Sequence, residues 1–268
     1  MTDTDRPGER PEAVRGAAAA WIADPAGRAA LVLTAGAALI VTLVVADVKA
    51  VLRLDEAVAV QLHAAALQHP GLTHASRIVT DWVVDPWTMR LLLAGAVVWL
   101  WHRRQRLIAL WTACTSAAEW ALRTVLRWAV GRNRPEWERP VDSAEFAAMP
   151  SGHAMTAAAT CVLLLWVARA AQLPTGLVRV GTVLAVAGVA AACFTRVFLG
   201  VHWLTDTLAG TLLGTGLAAG ATATWHAAGP YSHAAARTGS APSGDGTERG
   251  LPQRRPGRCR RATSDTDI

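Results

Sequence analysis

The chain has 268 residues, of which 52% are hydrophobic and 17% charged, with a net charge of +6. Its apolar residues come in blocks such as "AALVLTAGAALIVTLVVA" and "LAGTLLGTGLAAGATATW", and blocks of near-bilayer length read as membrane spans rather than as buried helices of a soluble core. The basic balance then reads as cytoplasmic anchoring and not as a nucleic-acid footprint, and four cysteines without metal-ligand spacing set out neither a zinc site nor a disulfide framework.

Residues 1–28 are polar, with Pro, Gly, Asp and Arg, and read as a disordered cytoplasmic leader. This stretch is too long and mixed for the basic start of a cleaved signal, so the apolar block 29–46 is expected to stay as the first anchor. Residues 50–69 carry an apolar pattern broken by Asp55, Glu56 and His63, which reads as a short amphipathic helix at the outer interface. His63, His69 and His74 read as surface residues. The second span, 86–101, is interrupted by Arg90, which either snorkels to the interface or faces the bundle interior. Further spans are expected at 107–126, 155–173, 177–195 and 205–225. Cys114, Cys161 and Cys193 fall inside apolar blocks and read as small packing residues. Trp82, Trp87, Trp101, Trp128, Trp203 and Trp225 gather near the span ends, as an aromatic belt would. Residues 226–268, which include Cys259, read as a basic, disordered cytoplasmic tail.

The expected architecture is therefore an all-α, polytopic membrane protein with six transmembrane helices over 29–225. Basic residues in short loops orient it. "HRRQR" (102–106), Arg169, Arg179 and "RRPGRCRR" in the tail are all cytoplasmic if the N-terminus is. Residues 47–85, 127–154 and 196–204 then face outside. The outer loop breaks the charge rule with Arg127, Arg132, Arg134 and Arg139, so these arginines need another reason to be there.

Three short pieces supply one. They are "RWAVGRNRP", with Arg127 and Arg134-Pro135; Pro150-Ser151-Gly152-His153; and "TRVFLGVHWLTD", with Arg196, His202 and Asp206. Two spans separate the second piece from the third, so all three share one membrane face. Guanidinium groups bind phosphate oxygens in forked geometry. Ser151-Gly152 opens a helix, where backbone N–H groups attract an anion. Read alone, this turn is either half of a phosphate cradle or a plain cap of the fourth span. His202 and Asp206 are four apart and can share a helical face. Read alone, the pair is either a buried structural one or a catalytic one, in which an aspartate on one ring nitrogen fixes the tautomer and frees the other nitrogen to attack. Glu119, Arg123 and Arg127 are also spaced by four. A Glu119–Arg123 pair there either steadies Arg127 or is an interior structural ion pair.

Together the pieces resemble the type 2 phosphatidic acid phosphatases, also called lipid phosphate phosphatases. This family shares its helical core with vanadium-dependent haloperoxidases and some soluble acid phosphatases. The family pattern is Lys, six residues, Arg-Pro; then Pro-Ser-Gly-His; then Ser-Arg, five residues, His, three residues, Asp. Here the second motif is complete, Thr195 takes the Ser position in the third, and Arg127 replaces the lysine of the first.

The resemblance implies that His202 attacks phosphorus to form a phosphohistidine and that Asp206 orients it. It implies that His153 protonates the leaving alkoxide and later activates water. Arg127, Arg134, Arg196, Ser151 and the Gly152 N–H would hold the phosphoryl oxygens. No metal and no cofactor is implied, since arginines do the neutralising. The expected partners are a lipid phosphate substrate and membrane lipids, with no nucleic acid. The substrate is left open between phosphatidate, phosphatidylglycerol phosphate and a polyprenyl diphosphate. Two other classes stay open: a vanadate-dependent haloperoxidase-like enzyme, and a non-catalytic binder of phospholipid head groups.

Overall fold

The computed structural model of the chain describes residues 9–228, all of whose regular elements are helical. In chain order these are α1 (Glu9–Ala23), α2 (Pro25–Val45), α3 (Lys49–Gln68), α4 (Pro70–Ile78), a π-helical turn (Val79–Val83), α5 (Pro86–His102), α6 (Arg106–Val130), α7 (Gly152–Ala170), α8 (Thr175–Phe198) and α9 (Leu204–Ala228). The starts follow from local chemistry. Asp24 accepts from Ala26 N at 2.7 Å ahead of Pro25, and Asp85 accepts from Trp87 N at 2.7 Å ahead of Pro86. Each is a carboxylate cap followed by proline at the first helical position, where the missing N–H costs nothing. α6 ends at Gly131, whose φ of +59° is a left-handed cap.

Helices α2 and α5 to α9 coincide with the six expected blocks to within a few residues. α2, α7, α8 and the helical stretch Pro70–His102 that contains α5 are long and apolar enough to cross a membrane, which makes this a multi-pass membrane protein. α6 and α9 are each 25 residues long but more polar. α6 carries Glu119, Arg123 and Arg127, and α9 is rich in Gly and Thr.

The centre of the bundle is the pair α7 and α9, which bury more of their residues than the other helices. Small residues make this possible. A side chain at Gly214 would stand 2.2 Å from the Met155 carbonyl oxygen, and one at Gly210 would stand 2.7 Å from that of Ser151. These two glycines, four apart, let the α7 backbone press directly onto α9. On the other side of α9, Gly216 admits Thr34 of α2. The outward faces are apolar instead: Val183, Leu184 and Val186 on α8, Leu91 on α5 and Val32 on α2 are all exposed, as a lipid-facing surface requires.

Three expectations change. Residues 9–23, expected in a disordered leader, form α1. Trp21 anchors it by donating from Nε1 to Gly220 O (3.3 Å) and Thr224 Oγ1 (3.1 Å) on α9. The helix expected over 50–69 is present as α3, but its buried face includes the polar residues Asp55 and His63. His63, expected at the surface, is stacked on Trp137 with ring centres 4.0 Å apart. Trp225 leaves the expected belt and packs inside against Trp111 and Trp166, whereas Trp82, Trp87, Trp101 and Trp128 are exposed. Most of the expected tail, from residue 229 and with Cys259, lies outside the described residues.

Candidate active site

All three motif pieces meet at one end of the bundle, where α5 and α7 begin and α6 and α8 end. A cleft of about 760 Å³ opens there. Arg127, Arg134, Gly152, His153, Arg196 and His202 all line it. Ser151 and Asp206 stand behind its wall, fully buried.

His202 lies in the short turn between α8 and α9, with Asp206 in the first turn of α9. Its Nδ1 is 3.4 Å from Asp206 Oδ2, and its Nε2 is 3.1 Å from Arg134 Nη1. A guanidinium has only donors, so Nε2 must accept and Nδ1 must carry the proton. Asp206 thus selects the tautomer whose lone pair faces the cleft. Burial, first, and then the charges of Arg134, Arg196 and Arg127 hold the imidazole well below its usual range, so the ring is neutral near pH 7.

Arg134 is clamped by the loop ahead of α7. Its Nε donates to Phe146 O (2.9 Å), its Nη2 to Glu145 O (3.0 Å) and its Nη1 to Val201 O. Burial and the like charges of Arg196 and Arg127 lower its pKa to about 10, which still leaves it charged at neutral pH. Phe146 pays for this clamp with a left-handed φ of +67°, and its exposed ring stands at the lip, 6.0 Å from the Arg127 guanidinium. Arg196 is buried in α8 and reaches Thr80 Oγ1 at 3.3 Å and Asp142 Oδ2 at 3.7 Å.

Ser151 occupies the cap position of α7, yet its hydroxyl makes no capping bond and has no partner, although it is buried. A plain capping role therefore does not account for it. Its N–H donates to the Asp206 carbonyl oxygen at 3.0 Å, which ties the α7 start to the α9 start. Gly152 is close-packed: a Cβ there would stand 2.6 Å from Arg123 Nη1 and 2.8 Å from Arg127 Nη2. Two guanidinium groups thus rest on the first turn of α7. His153 faces the cleft 3.9 Å from Asp85 Oδ1, a carboxylate already used to cap α5.

Three supporting residues have no place in the motif reading. Arg132 joins two buried carboxylates, with Nη1 on Asp206 Oδ1 (2.6 Å) and Nη2 on Asp55 Oδ2 (2.7 Å). Thr205 completes the set by giving its N–H and hydroxyl to Asp55 at 2.9 Å and 2.6 Å. So α3, expected to lie on the bundle's surface, sends a carboxylate to the back of the site. The excess of arginines in the 127–139 loop was the available signal, but nothing in sequence named their partners. Glu119 lies between Arg123 (3.9 Å) and Arg90 (3.5 Å), so Arg90 faces the interior. Among the described residues no group of three or more His, Cys, Asp or Glu is gathered where it could hold a metal ion.

No curated protein matches the chain. The fold is similar to the crystal structure of the first transmembrane PAP2 type phosphatidylglycerolphosphate phosphatase from Bacillus subtilis, with a TM-score of 0.63 and 22% identity over 70% of this chain and 92% of that one. A family model, that of the PAP2 superfamily, matches residues 105–230. That stretch holds all three motif pieces and every cleft arginine but Arg90.

Proposed function

We propose that the chain is a metal-independent lipid phosphate phosphatase acting through a phosphohistidine. One observation carries this reading: the accepting Nε2 of His202 opens onto a cleft shared with Arg127, Arg134 and Arg196. That cleft continues between α5 and α6 past Leu93, Val97, Ala113 and Ala117. A phosphoryl group fits its polar end and an acyl or prenyl chain its apolar end.

In the reaction, His202 Nε2 attacks phosphorus while Asp206 stabilises the charge that grows on the ring. The bond from phosphorus to the lipid oxygen breaks, and His153 gives that oxygen a proton. Water, deprotonated by His153, then attacks the phosphohistidine and releases inorganic phosphate. The three arginines, the Ser151 hydroxyl and the Gly152 N–H hold the equatorial oxygens. All six long helices α2 and α5–α9 cross the bilayer in this reading, and the basic stretch 102–106 with Arg169 and Arg179 lies at the opposite end from the site. The positive-inside rule then puts the site at the outer face of the cytoplasmic membrane.

The test is inorganic phosphate release in detergent from phosphatidate, phosphatidylglycerol phosphate and a polyprenyl diphosphate, with EDTA present. Release that persists in EDTA, with an acid-labile phosphoenzyme trapped on quenching, is the expected result. Binding of these lipids without any release, by folded protein, would replace the enzyme with a head-group binder. Acidity gives a second check. His202 must be neutral to attack, and its pKa lies well below 6.5, so the limb it contributes to kcat/KM is expected to fall only below pH 6.5. A loss of kcat/KM centred above that pH and traced to His202 would contradict its buried, arginine-flanked setting.

A further inference from the structure

We infer that Arg90 and Arg123 form a second anion subsite next to the phosphate cradle, built for the inner phosphate of a lipid diphosphate. This rests on the phosphatase reading above. Neither residue belongs to the three motif pieces, and both line the cleft.

Their depth is the first reason. Arg90 lies one turn into α5 from the site end, and Arg123 lies one turn before Arg127 on α6. Beyond them the cleft walls turn apolar. A substrate with its reacting phosphoryl at His202 and its chain between α5 and α6 must therefore carry its linking atoms past these two arginines. In a lipid monophosphate those atoms are neutral. In a lipid diphosphate they are a second phosphate.

Charge is the second reason. Arg123 and Arg127 crowd onto the same point at Gly152, and like charges so close repel. Glu119 offsets part of this, lying 3.5 Å from Arg90 Nη2 and 3.9 Å from Arg123 Nε, with Thr156 Oγ1 donating to it at 3.0 Å. One carboxylate does not balance Arg90, Arg123 and Arg127. The Nε atoms of all three are buried without a hydrogen-bond partner, an arrangement that an anion would relieve. Arg123 and Arg127 sit side by side, so the two phosphates they serve must be joined directly rather than through a glycerol spacer.

The chemistry balances. Nε2 of His202 forms a bond to the terminal phosphorus, and the bond from that phosphorus to the bridging oxygen breaks. The oxygen leaves with its electron pair on the lipid monophosphate. Its new charge develops beside Arg90 and Arg123, which is where cations raise the rate most. Water then releases the terminal group as inorganic phosphate.

The test compares kcat/KM of the full chain in detergent on farnesyl diphosphate and farnesyl monophosphate, which share one tail. The wild type is expected to favour the diphosphate by about tenfold or more. Arg90→Gln and Arg123→Gln are each expected to lower the diphosphate value by about 10–100-fold, and at least about tenfold more than the monophosphate value. If either variant does not fold, its lysine counterpart keeps the charge but loses the fork, and a reduced preference for the diphosphate is expected from it. Equal losses on both substrates, or no preference in the wild type, would overturn the subsite while leaving the phosphatase intact. The same Arg123 dependence with phosphatidylglycerol phosphate would overturn the direct linkage of the two phosphates. No turnover of any of the three by the wild type would remove both readings.

Discussion

His202→Ala is expected to lower phosphate release by about 10⁴-fold or more, to the level that the arginines and the Gly152 N–H sustain alone. The substitution removes a ring nitrogen whose lone pair faces the cleft beside three guanidinium groups. It removes the long bond to Asp206 and an acceptor for Arg134 Nη1, but Arg134 keeps its three backbone carbonyls, so the melting temperature in detergent should change little. Asp206→Asn is the companion. An amide at that position can offer N–H to Nδ1, which turns the imidazole to the tautomer whose proton, not its lone pair, faces phosphorus. A fall of about 10²–10⁴-fold in kcat is expected, with KM less affected. Trapping after an alkaline quench should find phosphoenzyme in the wild type and none in His202→Ala. If His202→Ala retained a tenth of the wild-type rate, another nucleophile would have to be sought.

The second large effect lies behind the site. Arg132→Met is expected to cost about 3–5 kcal/mol of stability. Arg132 is the cation shared by Asp55, 1% exposed, and Asp206, 0% exposed. Without it two carboxylates are left buried with only neutral donors, Thr205, the Trp203 N–H and the His202 Nδ1–H, to hold them. Thermal unfolding in detergent reads the loss. Removing one of the stranded charges should recover part of it, so Asp55→Leu with Arg132→Met is expected to be more stable than Arg132→Met alone. Arg132 touches Asp206 and does not line the cleft, so in the proposed reaction it is a positioning residue. Its loss should lower kcat more than it raises KM, in protein that remains folded. Simple additivity of the two substitutions would mean that the three residues do not act as one network.

The helical blocks and the three motif pieces were legible because both are local signals. A span is a run of about twenty apolar residues, and α2, α7, α8 and α9 show such runs directly. α5, interrupted by Arg90, and α6, with Glu119, Arg123 and Arg127, read less clearly. The motif residues declare themselves through type and spacing: His202 and Asp206 four apart, Ser151-Gly152 at a helix start, and paired arginines after α6. Where these residues sit in the fold follows from parity, because two crossings return the chain to the same face.

What tertiary structure alone decided was which other polar residues are buried, and against what. Asp55 in an amphipathic stretch reads as exposed, and its partner Arg132 is 77 positions away. Trp21 draws residues 9–23 into a helix by bonding to α9, 199 positions away at Gly220. His63 stacks on Trp137, and Arg90 turns inward to Glu119. A charge is affordable inside a bundle only when a partner meets it there, and a sequence states the charge without stating the meeting. Composition, block length and spacing thus determined the helical membrane plan and the chemistry-bearing triad of motifs, while the desolvated pairings that hold those motifs in position were decided by packing between helices distant in the chain.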